Sequence, residues 1–465
     1  MASARSLRYL PRVQLRRLAV TAAVLSLSGC SKPESSPAPA ATSNAPVSAP
    51  PPSAVADAAP PEPSGPDRPL NVLFLTVDSL RADMPWTGYE RKIAPNLTKL
   101  ANESVVYTEA YSPSSYTAQS VAAYLSGRHA ATLYRQGWFF TGYAQSNLFF
   151  PEALHDKGIR TLGWHAHMYF GRGKGLDQGF DVWELVPGIT FNPNTDEHIT
   201  SDKMTKLAEE ILGKPENTGK QFFAWAHYMD PHDEYHKHPE ADFGNKNRDR
   251  YDSEVFFTDH WLGELLSWCE KQPWWKNTAL IIGADHGEAF GEHDMWKHAF
   301  DVWQVLVRVP LIIKVPGGKP RRIDMRRSLI DVPPTIMELL GQKPLPQFQG
   351  KSLVPEVYGK APDNREPIAV ELSEDSHNPP RRAVIQGDYK LTVYGKGWKY
   401  LLFNLKKDPG ELDDLSKKEP EKLAEMKQVF QKKFDEVGFV EPYGGMKLKE
   451  GGTANGPTGP AVKKP

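Results

Sequence analysis

Two apolar runs of this chain end in groups that can hold a cation. Asn71-Val-Leu-Phe-Leu-Thr-Val-Asp78 ends in a carboxylate, and Ala279-Leu-Ile-Ile-Gly-Ala-Asp285-His286 ends in a carboxylate followed by an imidazole. Brought together from roughly two hundred residues apart, such oxygen and nitrogen donors make a divalent-metal site. A third stretch adds hydroxyls: Tyr111-Ser-Pro-Ser-Ser-Tyr-Thr117-Ala-Gln-Ser120 runs into a short apolar segment closed by Gly127. One of these hydroxyls would be a nucleophile at a positive helix end, where amides also receive an anion. The competing reading is that each hydroxyl caps orphan amides.

The elements that would position these groups follow from the pattern. Both acid-terminated runs are short and rich in Val, Ile and Leu, as strands buried on both faces are. In an open α/β sheet, ligands gather outside the carboxyl ends of such strands. Further strands are predicted over 160–164, 221–227, 278–285 and 309–315, and helices from Pro95, over 198–212 and over 251–271. In the last of these, Val255, Leu262, Leu266 and Cys269 share one face. Strands alternating with helices imply a mostly parallel sheet covered on both sides. After about residue 340 the texture changes to short strands with Gly turns and a closing helix over Pro420–Val437, a smaller antiparallel subdomain.

Lys plus Arg (56) nearly balances Asp plus Glu (57) in the 465 residues, so no global field points to a nucleic-acid partner. Residues 1–30 read as an export signal: Arg5, Arg8, Arg12, Arg16 and Arg17 precede an apolar run, Leu18 to Leu27, too short to span a bilayer. The ending Leu27-Ser28-Gly29-Cys30 resembles a bacterial lipoprotein signal, with Cys30 carrying the lipid; the alternative is a plain signal with an incidental cysteine. Acyl chains would hold the protein at a membrane, each buried CH₂ contributing about 0.8 kcal/mol. Ser31, standing where an Asp would retain a lipoprotein at the inner membrane, points to the outer membrane. The expected organisation is a signal (1–30), a Pro/Ala/Ser-rich tether (31–67), a catalytic domain (68–340), a C-terminal subdomain (341–442) and a disordered tail (443–465).

Several motifs in order carry a resemblance. They are Val77-Asp78-Ser79-Leu-Arg-Ala-Asp83, Leu125-Ser-Gly127-Arg128, His227-Tyr-Met-Asp-Pro-His232, Tyr251-Asp252-Ser-Glu254, Ala284-Asp285-His286-Gly-Glu288 with Gly291-Glu-His293, and Leu402-Phe-Asn-Leu-Lys-Lys-Asp408. From about residue 68 to 437 the chain resembles the sulfatase family of the alkaline phosphatase superfamily. The resemblance implies an alkaline-phosphatase-like α/β sandwich with a mixed, mainly parallel sheet and a smaller C-terminal α/β subdomain. It also implies that Asp78, Asp285 and His286 hold a metal. The family's nucleophile is a Cys or Ser in Cys/Ser-x-Pro-x-Arg, oxidised to formylglycine, ten positions before the closing glycine. That position is Thr117, with Gln119 for the proline and Val121 for the arginine. Threonine cannot become formylglycine. Thr117 instead resembles the nucleophile of the superfamily's phosphoethanolamine and glycerol-phosphate transferases, with Ser115 and Ser120 in reserve. Ser79 stands where many sulfatases carry a second acidic ligand. The same matching gives His232 the substrate anion, and His298 (or Lys297 beside it) the anion or the leaving group. His227 opens its motif at a strand end, and His165 and His167 would line the pocket.

A threonine ester of phosphate can be resolved by a second attack at phosphorus, whereas a sulfothreonine lacks the exit that an aldehyde hydrate gives sulfatases. The expectation is a metal-dependent hydrolase or transferase of phosphate esters, with sulfate esters as the first rival and an inactive envelope lipoprotein binding an anionic glycan or lipid as the second. The substrate would be a phosphorylated or sulfated small molecule, glycan or lipid. Two carboxylates, an alcohol and an imidazole suit Mn²⁺, Zn²⁺ or Mg²⁺ better than Ca²⁺. Asp230, His232 and His298 are candidates to hold a second metal. Loops 138–147 and 188–197 would build the leaving-group pocket, and the first offers Trp138, Phe139, Phe140 and Tyr143.

Overall fold

The two acid-terminated runs lie side by side in the middle of one sheet. The computed structural model describes residues 65–190 and 199–444. The expected signal with Cys30, the bulk of the tether and tail, and most of the 188–197 loop lie outside the described residues. The strands are β1 Asn71–Val77, β2 Val105–Tyr111, β3 Arg160–His165, β4 Val182–Leu185, β5 Phe222–Tyr228, β6 Thr278–Ala284, β7 Ala289–Phe290, β8 Trp296–Lys297, β9 Arg308–Lys314, β10 Arg321–Ile323, β11 Arg327–Ser328, β12 Ile368–Leu372, β13 Arg381–Gln386, β14 Tyr389–Tyr394 and β15 Lys399–Asn404.

The main sheet has the order β10-β2-β9-β6-β1-β5-β3-β4, with β11 also paired to β2. Only β9 runs against its neighbours; the other pairings are parallel. All seven residues of β1, β5 and β6 are buried, which accounts for their unbroken apolar character. The register then sets the site. Val77 pairs with Tyr228 on one side and Ala284 on the other, so Asp78 and Asp285 leave the sheet next to one another.

Helices Pro95–Asn102, Ser201–Leu212 and Asn247–Cys269 pack together, and Thr117–Ser126 packs against Val332–Leu339. Cys269 is buried at its helix end, where burial pushes the thiol up, as suits an inert apolar filler. Helix Thr117–Ser126 is buried along its whole length. It stops at Gly127, whose φ of 68° is left-handed and whose N–H donates to Ala123 O at 2.8 Å. A Cβ there would lie 2.1 Å from the Phe348 ring, so only glycine closes this helix without displacing its neighbour.

The C-terminal residues form the antiparallel sheet β12-β13-β14-β15. Its period-two alternation buries two faces. Val384, Leu391, Val393 and Leu402 meet Met426, Phe430 and Phe434 of helix Pro420–Val437. Ile368, Val370, Ala383, Ile385 and Phe403 meet Tyr111, Tyr116 and Ala118. The residues flanking Thr117 are thus part of a core shared with the C-terminal sheet. The strands β2 and β4 have no counterpart in the sequence reading: β4 is four residues long, and β2 carries Thr108 and Glu109 at half-buried positions.

Candidate active site

Asp78, Thr117, Asp285 and His286 converge. Among the described residues, Asp78, Asp285 and His286 are the group whose ligand atoms all lie within 4.8 Å of one another, and each is fully buried. Asp285 Oδ1 accepts from the Ser79 N–H at 3.2 Å and from the His286 N–H at 2.9 Å. Its Oδ2 is buried without a hydrogen-bond partner, 3.3 Å from His286 Nε2. Asp78 Oδ1 accepts from Ser79 Oγ at 2.9 Å and Oδ2 from His227 Nε2 at 3.2 Å. His286 turns Nδ1 to the Gly287 carbonyl at 2.9 Å, which leaves the Nε2 lone pair facing the site.

Electrostatics push the two carboxyls apart. Burial and the charge of Asp78 hold the Asp285 carboxyl well above the usual range. Burial would raise Asp78 too, but the charge of His232 and the hydrogen bond from His227 outweigh it and hold Asp78 well below. Burial, then the charge of His298, keeps His286 neutral. A buried orphan oxygen, a carboxylate and a neutral imidazole lone pair fit a divalent cation, which would neutralise the carboxylate pair.

Thr117 is the first residue of its helix, with Tyr116 at the cap position and no side-chain capping bond. The capping reading therefore fails for Thr117. Its Oγ1 lies 2.9 Å from His286 Nε2 and 3.5 Å from Asp78 Oδ2, beside the orphan acid. The reserve hydroxyls are engaged elsewhere: Ser115 Oγ donates to Asp301 O at 2.5 Å and Ser120 Oγ to Ser114 O at 2.9 Å. The departures from the formylglycine pattern have structural uses. Val121 is fully buried in the main core. Gln119 Oε1 accepts from the Ser373 N–H at 2.9 Å and its Nε2 donates to Ser373 O at 3.3 Å, tying the helix of Thr117 to the end of β12.

His298 is brought to the same place. Its Nδ1 lies 3.2 Å from Glu288 Oε1 and 3.4 Å from Ser79 Oγ, and its ring is 4.2 Å from that of His286. Burial disfavours its charge, but the Glu288 carboxylate wins and raises it above the ordinary histidine value. With Nδ1 held by Glu288, Nε2 is the ring nitrogen left for another partner. Left-handed φ values at Ser79 (56°), Lys297 (67°) and Ala299 (65°) bracket Asp78 and His298, strain of the kind that fixes functional side chains. His232, 4.9 Å from His298 ring to ring, bonds through Nδ1 to Asp233 O at 3.0 Å, leaving Nε2 open. His167 accepts the Tyr169 N–H on Nδ1 at 3.2 Å, so its neutral ring carries the proton on Nε2.

Three expectations need correction. His227 is fully buried and bridges Thr76 Oγ1 (2.9 Å) and Asp78, so both ring nitrogens are engaged and it positions a carboxylate. His165 is fully buried with neither ring nitrogen bonded; burial pushes it down to about 3, and it packs on Trp183 at 4.9 Å. The second metal set does not form, because Asp230 accepts from Thr200 and Ser201 N–H groups, each at 2.7 Å, and starts helix Ser201–Leu212. Glu288, which orients His298 and accepts from Tyr235 Oη at 2.8 Å, and Gln119 were assigned no role from sequence. Glu288 stands in the quoted Asp285 motif, which was the available signal. Tyr251 secures the turn after β1: its hydroxyl donates to Ser79 O and accepts from Arg81 N–H, both at 2.9 Å.

A mainly parallel sheet carrying this buried triad beneath a helix-start hydroxyl defines an enzyme of the alkaline phosphatase superfamily. The Sulfatase family model matches residues 70–342, and the model of the N-sulphoglucosamine sulphohydrolase C-terminal region matches 291–438. The chain belongs to the sulfatase family. It is 24% identical over 425 residues to a choline-sulfatase of Rhizobium meliloti (strain 1021), covering 74% of this chain and 82% of that protein. Among solved structures it resembles a 2-O GAG sulfatase, with TM-score 0.67 at 20% identity over 80% of this chain and 93% of the other. It also resembles the phosphonate monoester hydrolase of Agrobacterium radiobacter, with TM-score 0.63 at 18% identity over 80% and 95%.

Proposed function

We propose that this chain cleaves phosphate esters through a covalent Thr117 intermediate. The observation that carries the proposal is a threonine hydroxyl 2.9 Å from His286 Nε2 and 3.5 Å from Asp78, in place of a residue convertible to formylglycine. A cation held by Asp78, Asp285 and His286 would favour the ionised hydroxyl; Mn²⁺, Zn²⁺ or Mg²⁺ suits these donors. Thr117 Oγ1 attacks phosphorus, the bond to the leaving oxygen breaks, and that oxygen takes the proton from His298 Nε2. His232 and His167 offer further N–H donors to the anion. Water or an acceptor alcohol then attacks the phosphothreonine, its proton passing to His298 Nε2 as the P–Oγ1 bond breaks and frees Thr117, giving hydrolysis or transfer.

The named activity of the choline-sulfatase relative favours a second reading, a sulfate ester hydrolase working without formylglycine. Aryl phosphate, phosphodiester and aryl sulfate assayed side by side on cation-loaded protein separate the two. Dominant phosphoester turnover is expected; dominant sulfate turnover would overturn the preference. No turnover of any ester would favour an anion-binding protein.

The proposal places the enzyme at the bacterial envelope, exported and lipidated at Cys30. The basic stretch, the short apolar run and the Leu27-Ser28-Gly29-Cys30 ending support this. Cys30→Ser is expected to move the protein from the membrane fraction to the soluble fraction, and unchanged partitioning would refute lipidation.

A further inference from the structure

The reaction proposed above leaves the departing group without a binding surface, and a run of aromatic rings leads from Tyr116, buried beside Thr117, out to solvent. Tyr116, the residue before Thr117, stacks on Phe139 with ring centroids 4.6 Å apart. Phe139 stacks in turn on Phe300 at 6.2 Å, two residues beyond His298. In the other direction Phe139 meets Phe140 edge-on at 5.2 Å, Phe140 stacks on Tyr169 at 4.0 Å, and Tyr169 lies 4.9 Å from His167. The rings form a continuous arc. One end adjoins His167, 6.4 Å from His227, and the other adjoins His298, 4.2 Å from His286.

Two observations set this arc apart from ordinary packing. Phe140 and Phe300 are 43% and 46% exposed, and Trp138 on the same loop is 42% exposed, so large apolar rings face solvent beside a polar site. The loop that carries Trp138 and Phe140 is also held firmly, and the N–H of Ala299, beside Phe300, donates to Ser115 O at 3.0 Å. Gln136 N–H donates to Gly142 O at 2.9 Å, Phe139 N–H to Ser376 Oγ at 3.0 Å, and Tyr143 Oη to Ala118 O at 3.0 Å. Tyr116 Oη donates to Phe139 O. The exposed rings are therefore fixed relative to Thr117 in advance of any ligand, which lowers the ordering cost of binding.

Charge narrows the occupant. Aromatic faces carry the negative lobe of their quadrupole, which disfavours an anionic group above them. Lys297, the lysine beside His298, is already engaged by Asp233. We propose that Phe140, Tyr169 and Phe300, backed by Phe139, form the leaving-group subsite, which takes an uncharged ring, aryl or neutral pyranose, by its flat apolar face. The inference rests on Thr117 and its neighbours being an ester-cleaving site, and it assigns the substrate class of that site.

The test compares methyl, 4-methylumbelliferyl and neutral-monosaccharide esters of whichever acid the cation-loaded enzyme cleaves. In the double variant Phe140→Ala, Phe300→Ala, the ratio of kcat/KM for a ring ester to that for the methyl ester is expected to fall about tenfold. Phe140→Trp is expected to restore most of it. The aryl and sugar arms identify which ring is preferred. An unchanged ratio, or tighter inhibition of wild type by a polysulfated glycan than by a neutral ring, would overturn the proposal. If wild type cleaves no ester, the reading of the site fails, and the subsite is then read by calorimetry with 4-methylumbelliferone and methyl glucoside. Binding lost in the double variant supports it; no binding to wild type overturns it.

Discussion

Thr117→Ala is expected to lower kcat on the preferred ester by roughly 10³-fold or more, while Thr117→Ser keeps measurable turnover. The side chain does no capping work, so its removal leaves the helix start bonded as before, and the loss would be chemical rather than structural. Thr117 Oγ1 faces His286 Nε2 and Asp78 Oδ2, and the reserve hydroxyls of Ser115 and Ser120 are committed to backbone carbonyls. Acid-quenched wild type should carry a phosphoryl or sulfuryl group on the peptide containing Thr117, identified by accurate mass. Turnover of the alanine variant at the wild-type rate would remove Thr117 from the mechanism.

Removing the cation should have an effect of similar size on activity and a second effect on stability. Two buried carboxyls face each other, one of them with an unpaired oxygen, and the Asp78 charge is a large part of what forces Asp285 to hold a proton. A cation binds the folded arrangement and not the unfolded chain, so at a hundredfold excess over Kd it adds about 2.7 kcal/mol. Chelation is expected to abolish turnover and lower Tm, with both restored by Mn²⁺, Zn²⁺ or Mg²⁺. Asp285→Asn should be inactive and its Tm insensitive to added cation. Its amide oxygen can still accept from Ser79 and His286 N–H groups, and its NH₂ can donate to His286 Nε2, so the cation-free variant should melt no lower than cation-free wild type. A Tm response to cation that survives in the variant would place the cation elsewhere.

Much of this site was legible in the chain because strands buried on both faces leave an unmistakable apolar run, and Asp78 and Asp285 end two of them. The small subdomain was legible for a related reason: alternating strands such as Tyr389–Tyr394 and the amphipathic Pro420–Val437 are local patterns. The misassigned histidines share one cause. His165 closes β3 and His227 stands one residue before the end of β5, and a strand end says nothing about where that strand sits in the sheet. The order β1-β5-β3 puts β5 between His165 and the triad, and the pairing of His227 with Thr76 sets it beneath Asp78 instead of above it. Asp230 was misread because its partners, the first amides of helix Ser201–Leu212, are distant in sequence.

The sequence by itself determined the chemical inventory: two acids and an imidazole at the ends of buried strands, a threonine where convertible residues would stand, and the order of elements that carries them. Composition and periodicity are properties of single segments, so they survive without coordinates. Only the tertiary structure decided which groups meet. Strand order, register and helix docking are settled by packing between segments hundreds of residues apart. That packing turned Glu288 toward His298, turned Asp230 away from the site, and opened a ring of aromatic faces beside Thr117.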